Sequence, residues 1–149
     1  MKTLIIFSLT CVLLHSAYTQ SVHDSSEAHH QILSLLHRQV DGWNSGSIES
    51  FMQGYAKLDS LRFASGGNVT YGWNTMLARY KKSYSTKETM GTLTFTDITI
   101  DLLSDRAAIV FGTWKLKREN DTPWGLFTLI CKNIKGEWHI VHDHTSSGN

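Results

Sequence analysis

Four consecutive segments with the side-chain alternation of β-strands fill most of the chain after Gly91. They are Thr92–Leu102, Arg106–Lys117, Trp124–Ile134 and Glu137–Thr145. Short turn-forming segments separate them, and connections this short join antiparallel strands because a parallel pair needs a long crossover. The second half of the chain is therefore predicted to be an antiparallel meander.

The apolar positions change face within the first of these strands. Leu93 and Phe95 are apolar on one parity, whereas Ile98, Ile100 and Leu102 are apolar on the other. Because side chains alternate strictly along a regular strand, the change predicts a β-bulge near Thr96 and Asp97 that bends the strand. Long bent strands let a sheet curl around helices and leave a concave cavity.

The first half of the chain carries helical patterns. Apolar residues recur at three- and four-residue spacing from Ile32 to Trp43, and this helix is expected to end at Asn44–Gly46. Ser47 is the predicted N-cap of a short second helix. A small hairpin is expected over Leu61–Tyr71, followed by a third helix over Trp73–Tyr84. Three helices followed by a meander predict an α+β fold.

The first 19 residues have the layout of a secretory signal peptide. Lys2 precedes a short apolar run, and small residues at Ala17 and Thr19 suit cleavage near Thr19. Residues 20–30 are polar and are expected to form a flexible lead-in, in which Asp24 and Glu27 can cap a helix. The folded domain is expected over residues 31–147, and the mature protein is expected to be secreted or periplasmic.

The net charge argues against nucleic-acid and membrane binding, and the cysteine content argues against a disulfide in the mature chain. The whole chain of 149 residues has a formal net charge of +1, and loss of Lys2 with the signal peptide would bring it to zero. The chain therefore lacks the excess positive charge that binding to nucleic acid would favour. After signal cleavage it also lacks the charge that would favour binding to an anionic membrane surface. Cleavage would also remove Cys11, so Cys131, within an apolar strand, is expected to be a buried structural thiol.

The last strand carries the residues best suited to chemistry. By strict alternation, His142 and His144 share a face with Trp138 and Ile140, and Asp143 lies on the opposite face. If Asp143 faced an apolar cavity, its pKa would rise and it could act as general acid or base. If His142 faced it, this imidazole would be the proton shuttle and His144 a ligand contact. No third ligand at suitable spacing completes a metal site, and no cofactor is expected.

Aromatic residues from several elements are expected to line the cavity or fill the core. They are Trp43, Tyr55, Phe63, Trp73, Tyr80 and Trp114. Aromatic walls with few polar groups suit an apolar or ring-shaped ligand. Tyr55 and Trp73 are favoured for the pocket because each has a polar tip near an element end, and Ser65 could add a hydroxyl at the rim. Arg79, Lys81 and Lys82 are interpreted as a solvated helix face.

The order of several segments resembles the SnoaL-like, nuclear-transport-factor-2-like superfamily. The segments are Asp41–Tyr55, Leu61–Gly67, Tyr71–Trp73, Gly91–Phe95 and His142–His144. Within it the chain is similar to the domain-of-unknown-function 4440 group and to the association domain of calmodulin-dependent kinase II. The resemblance implies a cone-shaped α+β barrel, with three N-terminal helices on a strongly curved, mainly antiparallel sheet and a pocket at the open end. It also implies a homodimer formed through the outer face of the sheet.

The resemblance leaves the activity open, because this scaffold carries isomerases, dehydratases, cyclases, epoxide hydrolases and binding modules. The first hypothesis is a secreted or periplasmic protein that binds a small apolar or ring-containing molecule. The second is an isomerase- or dehydratase-like enzyme that uses Asp143 or His142 as general acid or base. The third is a module that oligomerises through its sheet.

Overall fold

The computed structural model describes the backbone of residues 6–148 and the side chains of residues 24–148. The helices are α1 (Ile6–Asn44), α2 (Ile48–Met52), α3 (Trp73–Ser83) and α4 (Lys87–Met90). The strands are β1 (Arg62–Ser65), β2 (Asn68–Tyr71), β3 (Thr92–Ser104), β4 (Ala107–Lys117), β5 (Trp124–Ile134) and β6 (Glu137–Thr145). The predicted α+β fold is confirmed, and α4 is an additional short helix that the sequence did not predict.

The six strands form one sheet in the order β2-β1-β6-β5-β4-β3. The meander of β3 to β6 is antiparallel throughout, as predicted, and β1 pairs with β2 as an antiparallel hairpin. Among the five strand pairings of this sheet, that of β1 with β6 is parallel. This pairing places the hairpin beside the last strand, although the two are far apart in sequence.

The long helix α1 lies against α2, β3 and β6. Its predicted stripe faces the core, with Ile32, Leu35, Leu36 and Trp43 all buried. Gln39 is buried on the same face, and its side-chain amide donates to the carbonyl of Phe51 at 3.2 Å. The amphipathic pattern therefore identified the buried face of α1.

The N-terminal part of α1 differs from the predicted lead-in. Residues 20–30 continue the helix without a break, since they contain neither proline nor glycine to interrupt it. The predicted signal peptide spans residues 1–19. Residues 1–5 and all of the side chains of this segment lie outside the described part of the chain. Cleavage near Thr19 stays a prediction. Between residues 6 and 148, no helix is long and apolar enough to cross a membrane.

Two predicted local features of the chain are present. The Ser47 side chain caps α2 by accepting from the backbone NH of Ser50. The register of β3 against β4 shifts between Thr96 and Thr99, and Asp97 adopts a positive φ of 55°. This is the predicted bulge, and beyond it Ile98 and Ile100 pack against the core.

Cys131 lies on β5 and is fully buried, as expected for a structural thiol. Burial, and secondarily the negative charge of Asp143, raise the pKa of its thiol to about 12. The thiol therefore stays protonated at neutral pH and has little nucleophilic character.

Candidate functional site

A cavity of about 200 Å³ lies between the helices and the concave face of the sheet. Its walls are mainly aromatic: Trp43, Phe51, Phe63, Tyr80, Tyr84, Phe95, Trp114 and Phe127. Many of these rings touch each other edge to face; the centroids of Trp43 and Phe51, for example, are 5.1 Å apart. The cavity therefore has mainly aromatic walls, and its polar groups are one carboxyl, one arginine, one amide and several hydroxyls.

Asp143 on β6 supplies the buried carboxyl group of this cavity. It is 4% exposed, and its two oxygens accept hydrogen bonds from the Tyr55 hydroxyl at 2.8 Å and from the Thr145 hydroxyl at 2.7 Å. Burial raises the pKa of Asp143 to about 6, although the hydrogen bonds from Thr145 and Tyr55 oppose the rise. Asp143 can therefore exchange a proton near neutral pH.

Backbone pairing holds Tyr55 beside Asp143. The segment after α2 forms a short bridge with β6, in which the Ala56 NH donates to the Ile140 carbonyl and the Ile140 NH donates to the Gly54 carbonyl, both at 2.9 Å. A Cβ at Gly54 would lie 2.7 Å from the buried Gln39 side chain, which would have to shift to admit it. These contacts fix the backbone on both sides of Tyr55 against β6, and the hydroxyl is held by its hydrogen bond to Asp143.

The tyrosine hydroxyls of the cavity stay protonated. Burial, and then the charge of Asp143, raise the pKa values of both Tyr55 and Tyr80 well above their usual range. Both phenols therefore stay neutral beside the carboxyl group, and the single hydroxyl proton of Tyr55 is donated to Asp143.

An irregularity in β6 decides which residues face the cavity. Cys131 pairs with Ile140 and Ile130 pairs with His142, so Val141 is an extra residue in the ladder. The bulge puts Ile140 and Asp143 on the same inner side, whereas strict alternation placed them on opposite faces. The predicted division of β6 into two faces was therefore wrong beyond Ile140.

The two histidines lie on the other side of the sheet. Neither His142 nor His144 lines the cavity, and His142 pairs across the ladder with Arg62 of β1. Burial first, and then Arg62 and His144, lower the pKa of His142. The structure therefore places Asp143, and not His142, where a cavity-bound molecule would meet it.

Of the other predicted site residues, four line the cavity and one does not. Trp43, Tyr55, Ser65 and Trp114 line the cavity. Trp73 does not line it, because its indole NH donates to the Met52 carbonyl at 2.9 Å and its ring lies under Lys57. The polar tip that favoured Trp73 is used to join α3 to the end of α2.

Sequence reasoning missed several residues of the cavity, among them Thr145, which donates to Asp143. Arg79, interpreted as part of a solvated helix face, lines the mouth together with Ser83. The C-terminal tail also contributes, since Ser146 continues the pairing with β5 and Ser147 reaches the cavity. The tail passes so close to Gly125 that a Cβ there would lie 1.9 Å from the Ser146 carbonyl oxygen.

The described side chains contain no group of three or more histidine, cysteine, aspartate or glutamate residues that could hold a metal ion. Among the described residues, the hydrogen-bond partners of Asp143 are the hydroxyls of Tyr55 and Thr145, and neither His142 nor His144 lines the cavity. The chemistry that the cavity itself offers is binding, hydrogen bonding and proton exchange.

Comparison with known proteins identifies the fold and one close relative. An NTF-2-like protein of unknown function from Shewanella oneidensis is 44% identical, with a TM-score of 0.77, over 80% of this chain and 98% of that chain. No protein-family model and no curated protein matches the sequence.

Two more distant structures share the fold alone. A provisional scytalone dehydratase from Novosphingobium aromaticivorans is 10% identical, with a TM-score of 0.73, over 86% of this chain and 89% of that chain. A provisional calcium/calmodulin-dependent protein kinase II association domain from Xanthomonas campestris is 15% identical, with a TM-score of 0.64, over 79% and 86%. These relatives differ in their assigned roles, so the fold does not specify the activity.

Proposed function

The chain belongs to the nuclear-transport-factor-2-like family, and from this premise we propose that its cavity binds a small, largely apolar, ring-containing molecule. The observation that carries the proposal is a single buried carboxyl group, Asp143, held by two hydroxyl donors inside aromatic walls. An apolar cavity with a few convergent polar groups is the usual form of a small-molecule site.

The size of the cavity limits the size of the ligand. At about 200 Å³ it is somewhat larger than the roughly 150 Å³ that admits a benzene molecule in an engineered protein cavity. A molecule with one ring and a few substituents fits this volume. The aromatic walls would contact the ring, and Asp143 would accept or donate one hydrogen bond.

Proton transfer is the second candidate function, and the raised pKa of Asp143 favours it. A general base works best when its pKa lies near the operating pH, and the pKa of this carboxyl is raised to about 6. In such a reaction Asp143 would take a proton from an acidified C–H position of the substrate and return it to another carbon. The hydrogen bond that the Tyr55 hydroxyl donates to Asp143 would stabilise the carboxylate form of this base.

The test uses Asp143→Asn. The matched control is Asp101→Asn, which makes the same substitution at an exposed position of β3. Binding of phenol and benzamide is followed by tryptophan fluorescence, and conversion of a one-ring β,γ-unsaturated ketone to its conjugated isomer is followed by absorption. A binding protein keeps its affinity within a few-fold in both variants and shows no conversion.

An isomerase loses about 10²- to 10⁴-fold of its rate in Asp143→Asn alone. Its kcat/KM rises with pH and levels off above about pH 6, because only the ionised carboxylate of Asp143 accepts a proton. If no one-ring compound binds and none is converted, the proposed function is wrong.

The location of the protein remains part of the proposal. We propose that the mature chain acts outside the cytoplasm, supported by the signal-like pattern of residues 1–19. N-terminal sequencing of the protein purified from its natural source would show a start near Gln20, and an intact Met1 or Lys2 start would contradict it.

A further inference from the structure

We propose that the ligand of this cavity carries an oxyanion group, a carboxylate or a phosphate, which Arg79 binds at the mouth. The inference rests on the proposed function, because it names the chemical class of the same ligand. It assigns a recognition role to a residue that the sequence pattern placed on a solvated surface.

The guanidinium of Arg79 is held in place over the mouth. Its centre lies 4.9 Å from the ring centroid of Phe63, a wall residue, and its Nη1 donates to the hydroxyl of Thr70 at 2.8 Å. The ring and the β2 hydroxyl together orient the planar group. An arginine that is oriented before binding loses less side-chain entropy when it binds an oxyanion.

The guanidinium of Arg79 takes part in none of the ion pairs that the described residues form, so its positive charge is available to a ligand. In the described part of the chain, the neighbouring basic residue Lys81 pairs with Glu49 and Arg118 pairs with Asp121, whereas none of the ion pairs formed there includes Arg79. Only one of its donors has a described hydrogen-bond partner. The remaining donors form a fork that matches a carboxylate or a phosphate.

The surroundings of the mouth add further donors and positive potential. Ser83 follows Arg79 by one turn of α3, and Ser65 lies on β1; both line the cavity. Burial raises the pKa of Tyr84, and the nearby positive charges of Arg118 and Arg79 oppose the rise. Arg118 is itself paired with Asp121, so the positive field at the mouth comes mainly from Arg79. An anion at the mouth would be stabilised by the same field.

The arrangement also predicts how the molecule is oriented. Asp143 is buried, whereas Arg79 and Ser83 are exposed, so the acidic and basic groups lie at different depths. The oxyanion would lie at the mouth and the ring between the aromatic walls. The inner end of the ligand would be neutral or a hydrogen-bond donor, because a negative charge there would meet Asp143.

The test compares benzoate, phenyl phosphate and neutral benzamide by titration calorimetry at pH 7 on the full mature chain. The variants are Arg79→Gln and Arg79→Lys, with Lys82→Gln as a control that removes the same charge from an exposed position of α3. Circular dichroism and thermal unfolding verify that each variant is folded, and Arg79→Lys keeps the test valid if the Gln variant is unstable.

We expect an oxyanion to bind about 10- to 100-fold more tightly than benzamide to the natural protein and to Lys82→Gln. This preference disappears in Arg79→Gln and is partly kept in Arg79→Lys, while benzamide binds all four proteins alike. Preference for benzoate over phenyl phosphate identifies a carboxylate, and the reverse identifies a phosphate.

Two results overturn the inference in different ways. If benzamide binds but the oxyanions gain nothing from Arg79, the ligand is not an anion and the proposed function stands. If none of the three compounds binds to any of the proteins, the proposed function fails and this inference fails with it.

Discussion

Asp143 places a chargeable group where a stable protein core would have an apolar one. Its carboxyl lies within a cluster of aromatic and aliphatic side chains, and two hydroxyls reduce the penalty of its ionisation without removing it. The remaining penalty appears as a pKa raised from 3.8 to about 6. Functional sites commonly carry such a loss of stability because the group is needed for the ligand or the reaction.

The raised pKa predicts how stability depends on pH. The folded state binds a proton on Asp143 more tightly than the unfolded state, so the free energy of unfolding falls as the pH rises from about 4 to about 6. A difference of about two pKa units corresponds to about 3 kcal/mol. Asp143→Asn removes the ionisation, so we expect this variant to be about 1–3 kcal/mol more stable than the natural protein at pH 8.

Urea unfolding at several pH values measures this effect. The advantage of Asp143→Asn should shrink toward pH 4, and Asp101→Asn, the same substitution at an exposed position, is the control. A variant that is less stable than the natural protein at pH 8 would contradict the account of Asp143 as a destabilising buried acid.

Two bulges determine which side chains of β3 and β6 face the helices. The bulge at Asp97 bends β3, so residues on both sides of it face the helices, and the bulge at Val141 brings Asp143 to the inner face of β6. At Val141 the strand also changes neighbour, from the Gly54–Ala56 segment to β1. Curvature and side-chain orientation thus have one common cause.

The bulge in β3 depends on a residue that tolerates a positive φ. Asp97 has φ of 55°, and its carboxylate accepts from the Thr96 hydroxyl at 2.8 Å. Valine cannot adopt this conformation without strain, so we expect Asp97→Val to lower the free energy of unfolding by about 1–2 kcal/mol or more. Thr94→Val, at an exposed and regular position of the same strand, should be nearly neutral. Equal effects of the two substitutions in urea unfolding would argue against the bulge.

The outer face of the sheet presents apolar side chains to solvent in this single chain. Phe111, Trp124 and Leu126 are each about two-fifths exposed, and they project from the adjacent strands β4 and β5. Contiguous exposed apolar surface of this kind commonly marks an interface. We therefore predict a homodimer formed through this face, which would leave the cavity on the concave side accessible.

Light scattering on the purified protein tests the dimer. Leu126→Glu should convert it to a monomer at micromolar concentration, because each copy would bury an unpaired charge in the interface. Leu58→Glu makes the same change at an exposed apolar residue outside the sheet and should leave the dimer intact. A natural protein that is strictly monomeric would contradict the prediction.

The family relationship has different value for fold and for function. The resemblance seen in the segments from Asp41 to His144 agrees with the 44% identity to a protein of known structure, and this establishes the curved α+β sheet. That relative has no known function, and the distant structures differ in their assigned roles. The ligand must therefore be inferred from the residues of this cavity.

Features that depend on neighbours in sequence could be read from the residues alone. The buried stripe of α1, the Ser47 cap and the β3 bulge each follow from how a short segment divides its side chains between core and water. The bulge in β6 left no such signal, because polar residues occupy both parities from His142 to Thr145. Its position depends on which distant segments pair with β6 on either side of Val141.

The chemistry of the mouth likewise depends on contacts between distant segments. A helix pattern assigns Arg79 to the solvent side, but Phe63 and Thr70 from the hairpin hold its guanidinium over the cavity. Conversely, the sequence favoured Trp73 as a pocket residue, but in the structure its indole NH donates to the Met52 carbonyl. Side-chain periodicity reports the local choice between water and core. The direction in which a polar group points depends on the partners that the complete fold brings within hydrogen-bonding distance.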